Sequence, residues 1–99
     1  GSNPPLSAMS NKWNVYVIES FSGDFYYTGM SENPEKRLLT HNKGKVRATK
    51  HFKPFKLVYS EFVGERMEAR ERERYLKSAT GRRWLREKMG IRTEGSLPD

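Results

Sequence analysis

The sequence predicts a small α/β domain in which a three-stranded antiparallel sheet is flanked by helices. Two β-rich segments, Trp13–Glu19 and Phe25–Gly29, enclose a polar, glycine-containing turn, which is typical of a β-hairpin. A third β-rich segment, Phe55–Phe62, comes after one helical pattern, and two further helical patterns follow it. With 99 residues, the chain is expected to form one domain.

The first strand is predicted at the centre of the sheet. Trp13–Glu19 is rich in β-branched and aromatic residues, and both of its faces are apolar. The turn Ser20–Asp24 then returns the chain into the second strand. In such a hairpin Tyr16 is expected within about one rung of Tyr27, although the sequence alone leaves the register open.

The first helix is predicted over Pro34–Lys43. Asn33 is a favourable N-cap, proline suits the first helical position, and Gly44 is a natural residue for the helix end. We expect Leu38 and Leu39 to anchor this helix in the core.

The second half of the chain begins with a basic stretch, Lys43–Lys56, which is expected to form a loop with at most a short helical turn. After the third strand, Gly64–Ser78 predicts a helix rich in glutamate and arginine, and Thr80–Met89 predicts a last helix. Gly90 is expected to end that helix.

The two ends of the chain are predicted to lie outside the domain. Residues 1–11 are expected to be a disordered tail, in which Gly1–Ser2 resembles a scar of tag cleavage and Met9 a natural start. The domain is expected over residues 12–90, and residues 91–99 are expected to be a loose tail.

Composition narrows the classes of function. The formal net charge of +7 and the pI of about 9.9 favour an anionic partner, with nucleic acid first and an anionic membrane second. No apolar run is long enough to span a bilayer and no signal peptide is visible, so a cytoplasmic protein is expected. The chain has no cysteine, which excludes disulfides, thiolate nucleophiles and cysteine-ligated zinc.

Glu73 is the first candidate for chemistry. Ala69 lies four residues before it and Leu76 three after it, so all three project from one stripe of a helix. A carboxylate on a buried face is unfavourable unless it is paired or bound to a metal. The alternative is an ordinary salt bridge with one of the basic residues of that helix, which are Arg66, Arg70, Arg72, Arg74 and Lys77.

Arg37 and His41 are four residues apart and therefore share a helix face. Arg37 could bind a phosphate through two parallel hydrogen bonds, and the alternative is an exposed arginine paired with Glu32 or Glu35. By itself, His41 is more typical of a surface or capping histidine than of a catalyst, because a positive imidazole is favoured in the last turn of a helix.

Tyr16 and Tyr27 have an ordinary interpretation as strand aromatics. A phenol has a pKa near 10, so it needs nearby positive charge to act as a base. The basic stretch could follow a phosphate backbone, with a solubilising loop as the alternative. Its candidate nucleic-acid ligands are Lys43, Lys45, Arg47, Lys50 and Lys53.

The order and spacing of these residues resemble the GIY-YIG endonuclease domain over roughly Trp13–Lys77. The chain looks closest to the small stand-alone bacterial subgroup, which is related to the N-terminal nuclease of the excision-repair protein UvrC. Asn14-Val15-Tyr16 stands where the family has Gly-Ile-Tyr, and Tyr27-Thr28-Gly29 where it has Tyr-Ile-Gly. Glu73 matches the metal-ligand position of the family.

The resemblance implies a role for each candidate. Glu73 would hold a single Mg²⁺ or Mn²⁺, and Tyr16 and Tyr27 would position or deprotonate the attacking water. Arg37 would steady the scissile phosphate of DNA, and His41 would support a tyrosine. The products would carry 5′-phosphate and 3′-hydroxyl ends, and DNA repair is a natural setting.

Two other classes of function stay open. A non-catalytic nucleic-acid-binding module could keep the same scaffold, and a basic scaffold could serve an acidic protein partner. A single small domain with phosphate-directed contacts is expected to recognise DNA structure, such as branches or nicks, more than sequence. The sequence leaves open which tyrosine acts as the base.

Overall fold

The computed structural model describes residues 12–98. The predicted tail over residues 1–11 lies outside the described residues. In chain order the elements are β1 (Trp13–Ser20), β2 (Tyr26–Ser31), α1 (Pro34–Asn42), β3 (Phe55–Gly64), α2 (Arg66–Lys77) and α3 (Ala79–Met89).

The three strands form one antiparallel sheet in the order β2-β1-β3. The predicted fold class and the central position of β1 are therefore confirmed. Tyr16 pairs with Gly29 and Ile18 with Tyr27. Because side chains alternate along a strand, the two tyrosines share one face of the sheet as diagonal neighbours. The third strand runs two residues further than predicted, to Gly64, and α2 accordingly starts at Arg66.

The two faces of the sheet carry separate apolar clusters. On one face Val15 and Val17 pack with Tyr26 and with Ala69 and Leu76 of α2, and α3 adds its buried Leu85. On the other face Tyr16, Ile18 and Tyr27 pack with Phe55. Leu38 of α1 and Phe52 of the following loop cover this second cluster. Successive side chains of β1 point to opposite faces of the sheet, and both faces are covered, so its apolar residues divide between the two clusters.

The first helix has the ends that its sequence predicts. The Asn33 side chain accepts a hydrogen bond from the backbone N–H of Lys36, and proline occupies the first helical position. The Asn42 side chain exchanges two hydrogen bonds with the backbone of Phe55, at 2.7 and 3.0 Å, and so ties the helix end to the start of β3. The expected anchoring by Leu39 was wrong, because its side chain is 60% exposed.

The segment after α3 corrects the expectation of a loose tail. Ile91 and Leu97 are buried, one in each apolar cluster. Tyr26 donates its backbone N–H to Gly95 and accepts from Leu97, which adds a parallel bridge beside β2. Apolar anchors and backbone pairing therefore hold residues 91–98 on the domain.

A partly buried ion pair ties α2 to β3. The Arg72 guanidinium donates to both carboxylate oxygens of Glu61, at 2.8 and 3.2 Å, and Tyr59 donates its hydroxyl to the same carboxylate. The guanidinium also lies 4.9 Å from the ring centre of Trp84. Burial and the Glu61 carboxylate raise the pKa of Tyr59 to about 12. The network is a structural tie, since charge-assisted bidentate pairs are among the stronger polar contacts.

Candidate active site

Tyr16, His41 and Thr49 form a continuous buried chain of hydrogen-bonding groups. The Tyr16 hydroxyl lies 2.8 Å from His41 Nε2, and His41 Nδ1 lies 2.7 Å from Thr49 Oγ1. All three side chains are at most 1% exposed. The Thr49 hydroxyl has the Val46 carbonyl at 3.5 Å to donate to. That arrangement favours a proton on His41 Nδ1 and leaves Nε2 to accept the phenol proton of Tyr16.

The imidazole of His41 is held in its neutral form. Burial first, and then the positive charge of Arg37, lower its pKa from 6.5 to about 4. Desolvation disfavours the charged ring, and a like charge nearby acts in the same direction. The alternative of a surface or capping histidine is therefore excluded, and the buried ring is a neutral proton acceptor near neutral pH.

Gly29 makes room for the Tyr16 ring. A Cβ at this position would lie 2.6 Å from the Tyr16 hydroxyl oxygen and 2.8 Å from the ring carbon that carries it. The same Cβ would lie 3.0 Å from a ring carbon of Tyr27. The rings of Tyr16 and Tyr27 therefore pack against the backbone of Gly29, where any side chain would collide with them. Glycine suits this position of the second motif for that reason.

Tyr27 lies near both the imidazole of His41 and a cation. Its ring centre is 5.2 Å from that of His41, and the Lys77 ammonium lies 5.8 Å from the same ring centre. Lys77 also forms a 3.1 Å ion pair with Glu73, whose side chain is 15% exposed. The pairing with Lys77 is the salt bridge that the sequence left as the alternative for Glu73. The structure thus joins Glu73 to the phenol cluster through one lysine.

Arg37 lies on the exposed side of α1. Within residues 12–98 its guanidinium has no carboxylate within salt-bridge distance, so the alternative pairing with Glu32 or Glu35 is not formed. Its charge nonetheless acts on His41. An exposed guanidinium beside a buried proton acceptor can bind an incoming phosphate without first breaking an ion pair.

A divalent ion would find one carboxylate here. Glu73 opens into a pocket of about 170 Å³ that is shared with Arg70, Arg74 and Lys77. Residues 12–98 contain no group of three or more histidine, aspartate or glutamate side chains that could hold a metal. Magnesium keeps several waters and takes ligands from substrate phosphate, so one carboxylate suffices only together with nucleic acid. Arg70, Arg74 and Lys77 are suited to hold that phosphate. Glu73 therefore fits a divalent ion when phosphate oxygens and water complete the set of ligands.

The loop after α1 presents its basic residues to solvent while its buried threonine reaches inward. All five of the predicted phosphate ligands are exposed, and they are Lys43, Lys45, Arg47, Lys50 and Lys53. Between them Thr49 is fully buried against His41. The basic surface is therefore anchored directly beside the candidate site.

Two residues of the site were missed by the sequence analysis. Nothing in the sequence marks Thr49 as a site residue, because a single threonine in a basic loop forms no recognisable pattern. Its contact with His41 arises only when the loop folds back on α1. Lys77 was placed only among the basic neighbours of Glu73. Its spacing of four residues from Glu73 was the available signal, since such pairs meet on a helix surface.

Comparison with known proteins defines the class. A family model described as the GIY-YIG catalytic domain matches residues 12–88. The chain therefore belongs to the GIY-YIG catalytic domain family, as the two tyrosine motifs indicated. No solved structure gave a significant match. Within residues 12–98, no helix combines the length and the apolar character that crossing a bilayer requires.

Several bacterial proteins are similar to this chain. A UPF0213 protein of Clostridium perfringens is 40% identical over 67 residues, covering 67% of this chain and 71% of that protein. A UPF0213 protein of Staphylococcus saprophyticus is 32% identical over 77 residues, covering 77% and 93%. A UPF0213 protein of Pseudomonas aeruginosa is 33% identical over 86 residues, covering 86% and 82%. The family suggests nuclease activity, while these names specify no substrate.

Proposed function

We propose that the protein is a divalent-metal-dependent endonuclease that hydrolyses DNA phosphodiester bonds at the site formed by Tyr16, Tyr27, Arg37, His41 and Glu73. The observation that carries the proposal is the neutral His41 bound to the Tyr16 hydroxyl at 2.8 Å. A phenol that is hydrogen-bonded to a neutral imidazole can pass a proton from the attacking water to that imidazole.

In this proposal the proton moves in two coupled steps. The attacking water gives a proton to the phenol oxygen of Tyr16 while the phenol proton passes to His41 Nε2. Thr49 holds the other ring nitrogen, so the acceptor lone pair stays directed at Tyr16. The resulting imidazolium would be unfavourable in a buried site, which helps His41 return the proton after the reaction.

Arg37 and the cations of α2 supply charge where it develops. The exposed Arg37 guanidinium would hold the scissile phosphate by two hydrogen bonds. Glu73 would hold the Mg²⁺ or Mn²⁺, and the ion would supply Lewis-acid stabilisation of the leaving oxygen. Until nucleic acid arrives, Lys77 balances the Glu73 carboxylate.

The net charge of +7 and the exposed loop cations support DNA as the partner. Contacts of this kind read the phosphate backbone, so we propose recognition of DNA structure rather than sequence.

A panel of branched, flapped, nicked and single-stranded DNA, with Mg²⁺ or Mn²⁺ and with or without chelator, tests the proposal. Cutting that the chelator stops, with 5′-phosphate and 3′-hydroxyl product ends, supports it. Salt-dependent binding with no cutting on any substrate would instead identify a nucleic-acid-binding module, and weak binding with little salt dependence would direct attention to an acidic protein partner.

A further inference from the structure

A cleft of about 690 Å³ lies beside Arg37, at the junction of β1, β2 and the first turns of α1. Trp13 and Met30 contribute its apolar lining, and Lys36 and Arg37 contribute positive charge. Glu32 lies in the same lining. This volume is within the range of pockets that bind small organic ligands.

The rim of the cleft is built from fixed groups. The Asn14 side-chain amide lies 3.2 Å from the backbone carbonyl of Lys12 and 3.5 and 3.4 Å from those of Ser31 and Glu32. The Ser31 hydroxyl accepts from the backbone N–H of Asn33 at 3.0 Å, and Asn33 caps α1. These contacts tie the path from β2 into α1 to β1 and to the helix cap beside the opening.

Trp13 is suited to stack a base. Its indole is half-buried, and the Arg66 guanidinium lies 5.5 Å from the centre of its ring system. The packing fixes the ring while part of it still lines the cleft. Bases stack on such aromatic groups whatever their sequence, because every base has a π-face.

The charges around the cleft match a nucleotide better than a neutral ligand. Lys36 and Arg37 suit a phosphate, and the carboxylate of Glu32 can accept a hydrogen bond from an amino group of a base. Arg37 is also the proposed ligand of the scissile phosphate, so the cleft adjoins the point of cutting.

We infer that this cleft binds one unstacked nucleotide next to the scissile phosphate, with its base on Trp13 and its phosphate against Lys36 and Arg37. The inference rests on the proposed function and makes it more specific. Substrates that offer an unpaired nucleotide at the cut, such as single strands, flaps and gaps, would enter the site, and intact duplex would not.

Fluorescence of Trp13 tests the inference without any cutting. The chain has two tryptophans, so Trp84→Phe leaves Trp13 as the only one. This variant is titrated in chelator with a single-stranded oligonucleotide and with the matching duplex, and anisotropy of a labelled strand confirms saturation. We expect quenching of Trp13 by the single strand and none by the saturating duplex. Unchanged fluorescence with saturating single strand, or equal quenching by the duplex, would overturn the inference.

Substitutions provide an independent test. Trp13→Leu is expected to weaken single-strand binding by about five- to a hundredfold, the range for losing one stacked base, while Trp13→Phe keeps most of the affinity. Phe62→Leu is the matched control, because Phe62 is 68% exposed on β3 and lies outside the cleft lining. Circular dichroism establishes that each variant folds, and wild-type affinity in folded Trp13→Leu would refute base stacking.

These results separate the inference from the proposed function. Quenching of Trp13 without cutting of any substrate would remove the nuclease proposal and leave a cleft that binds a nucleotide. Chelator-sensitive cutting without quenching would leave the nuclease and remove the cleft.

Discussion

Substitution of Gly29 by alanine tests the packing on which the candidate site depends. The new Cβ would lie 2.6 and 2.8 Å from two atoms of Tyr16, closer than real Cβ contacts. The Tyr16 ring is 1% exposed and its hydroxyl is bound to His41, so it has little room to move. Overpacking of this kind and the weakened hydrogen bond together predict a loss of about 2–4 kcal/mol in the free energy of unfolding.

Urea unfolding followed by circular dichroism measures the loss of stability, and cleavage of a labelled oligonucleotide measures the effect on the site. Because Tyr16 moves away from His41, we expect Gly29→Ala to lower the cleavage rate by about a hundredfold, the lower range for a general-base contribution. Gly90→Ala is the control. Gly90 has a φ of +69° with no atom within 4 Å of a new Cβ, so it should lower stability by about 1–2 kcal/mol and leave cleavage unchanged.

A double substitution identifies the clash as the cause. Tyr16→Leu removes the phenol that the new Cβ would meet, so Gly29→Ala should then lower stability by much less than it does alone. Equal losses in the two backgrounds would refute the reasoning, as would wild-type stability and activity of the single variant.

Three other outcomes follow from the same geometry. Thr49→Val should lower the free energy of unfolding by about 1–3 kcal/mol and slow cleavage, because it leaves His41 Nδ1 unpaired. Thr28→Val is the control, because it removes a buried hydroxyl that has no hydrogen-bond partner among residues 12–98. It should be neutral or stabilising in the same urea assay. The pKa of His41 is about 4 in the folded protein and 6.5 ordinarily, so the unfolded chain binds the proton more tightly. The contribution of His41 to the free energy of unfolding should therefore be fully present above pH 6.5 and fall by about 3 kcal/mol as the pH drops to about 4. Urea unfolding at several pH values measures this change, and His41→Gln should lack it. Replacing Lys45 and Lys50 by glutamate should weaken DNA binding and reduce its salt dependence, and an unchanged slope of affinity against salt would remove the loop from the DNA interface.

Local sequence chemistry predicted the elements well because their causes lie within a few residues. The apolar character on both faces of Trp13–Glu19 predicted a central strand, and the structure places this strand at the centre of the sheet with an apolar cluster on each face. Asn33, the following proline and Gly44 determine the ends of α1 by hydrogen bonding and backbone preference, which are also local.

The parts that were missed depend on contacts between distant segments. Thr49 meets His41 only when the basic loop folds back on α1, and the sequence of the loop carries no sign of this contact. Ile91 and Leu97 were read as part of a loose tail, because two separated apolar residues among polar ones show no regular period. Their burial depends on clusters that form on opposite faces of the sheet.

The sequence identified the candidate residues by their chemical type, and the structure supplied their positions relative to one another. The pairing register shows that Tyr16 and Tyr27 share a face, and burial shows that His41 is neutral. The sequence analysis left the partner of Glu73 open among five basic residues of α2, although the four-residue spacing favours Lys77. The structure selects Lys77, which also lies against the ring of Tyr27.

Cleavage by Glu73→Ala tests the central proposal most directly. The assay compares wild type, Glu73→Ala and the control Glu71→Ala, an exposed glutamate of the same helix, on a substrate that wild type cuts with Mn²⁺. We predict that Glu73→Ala loses metal-dependent cutting and still binds the DNA, and that Glu71→Ala cuts like wild type. Cutting by Glu73→Ala at the wild-type rate would contradict the assignment of Glu73 as the residue that holds the metal.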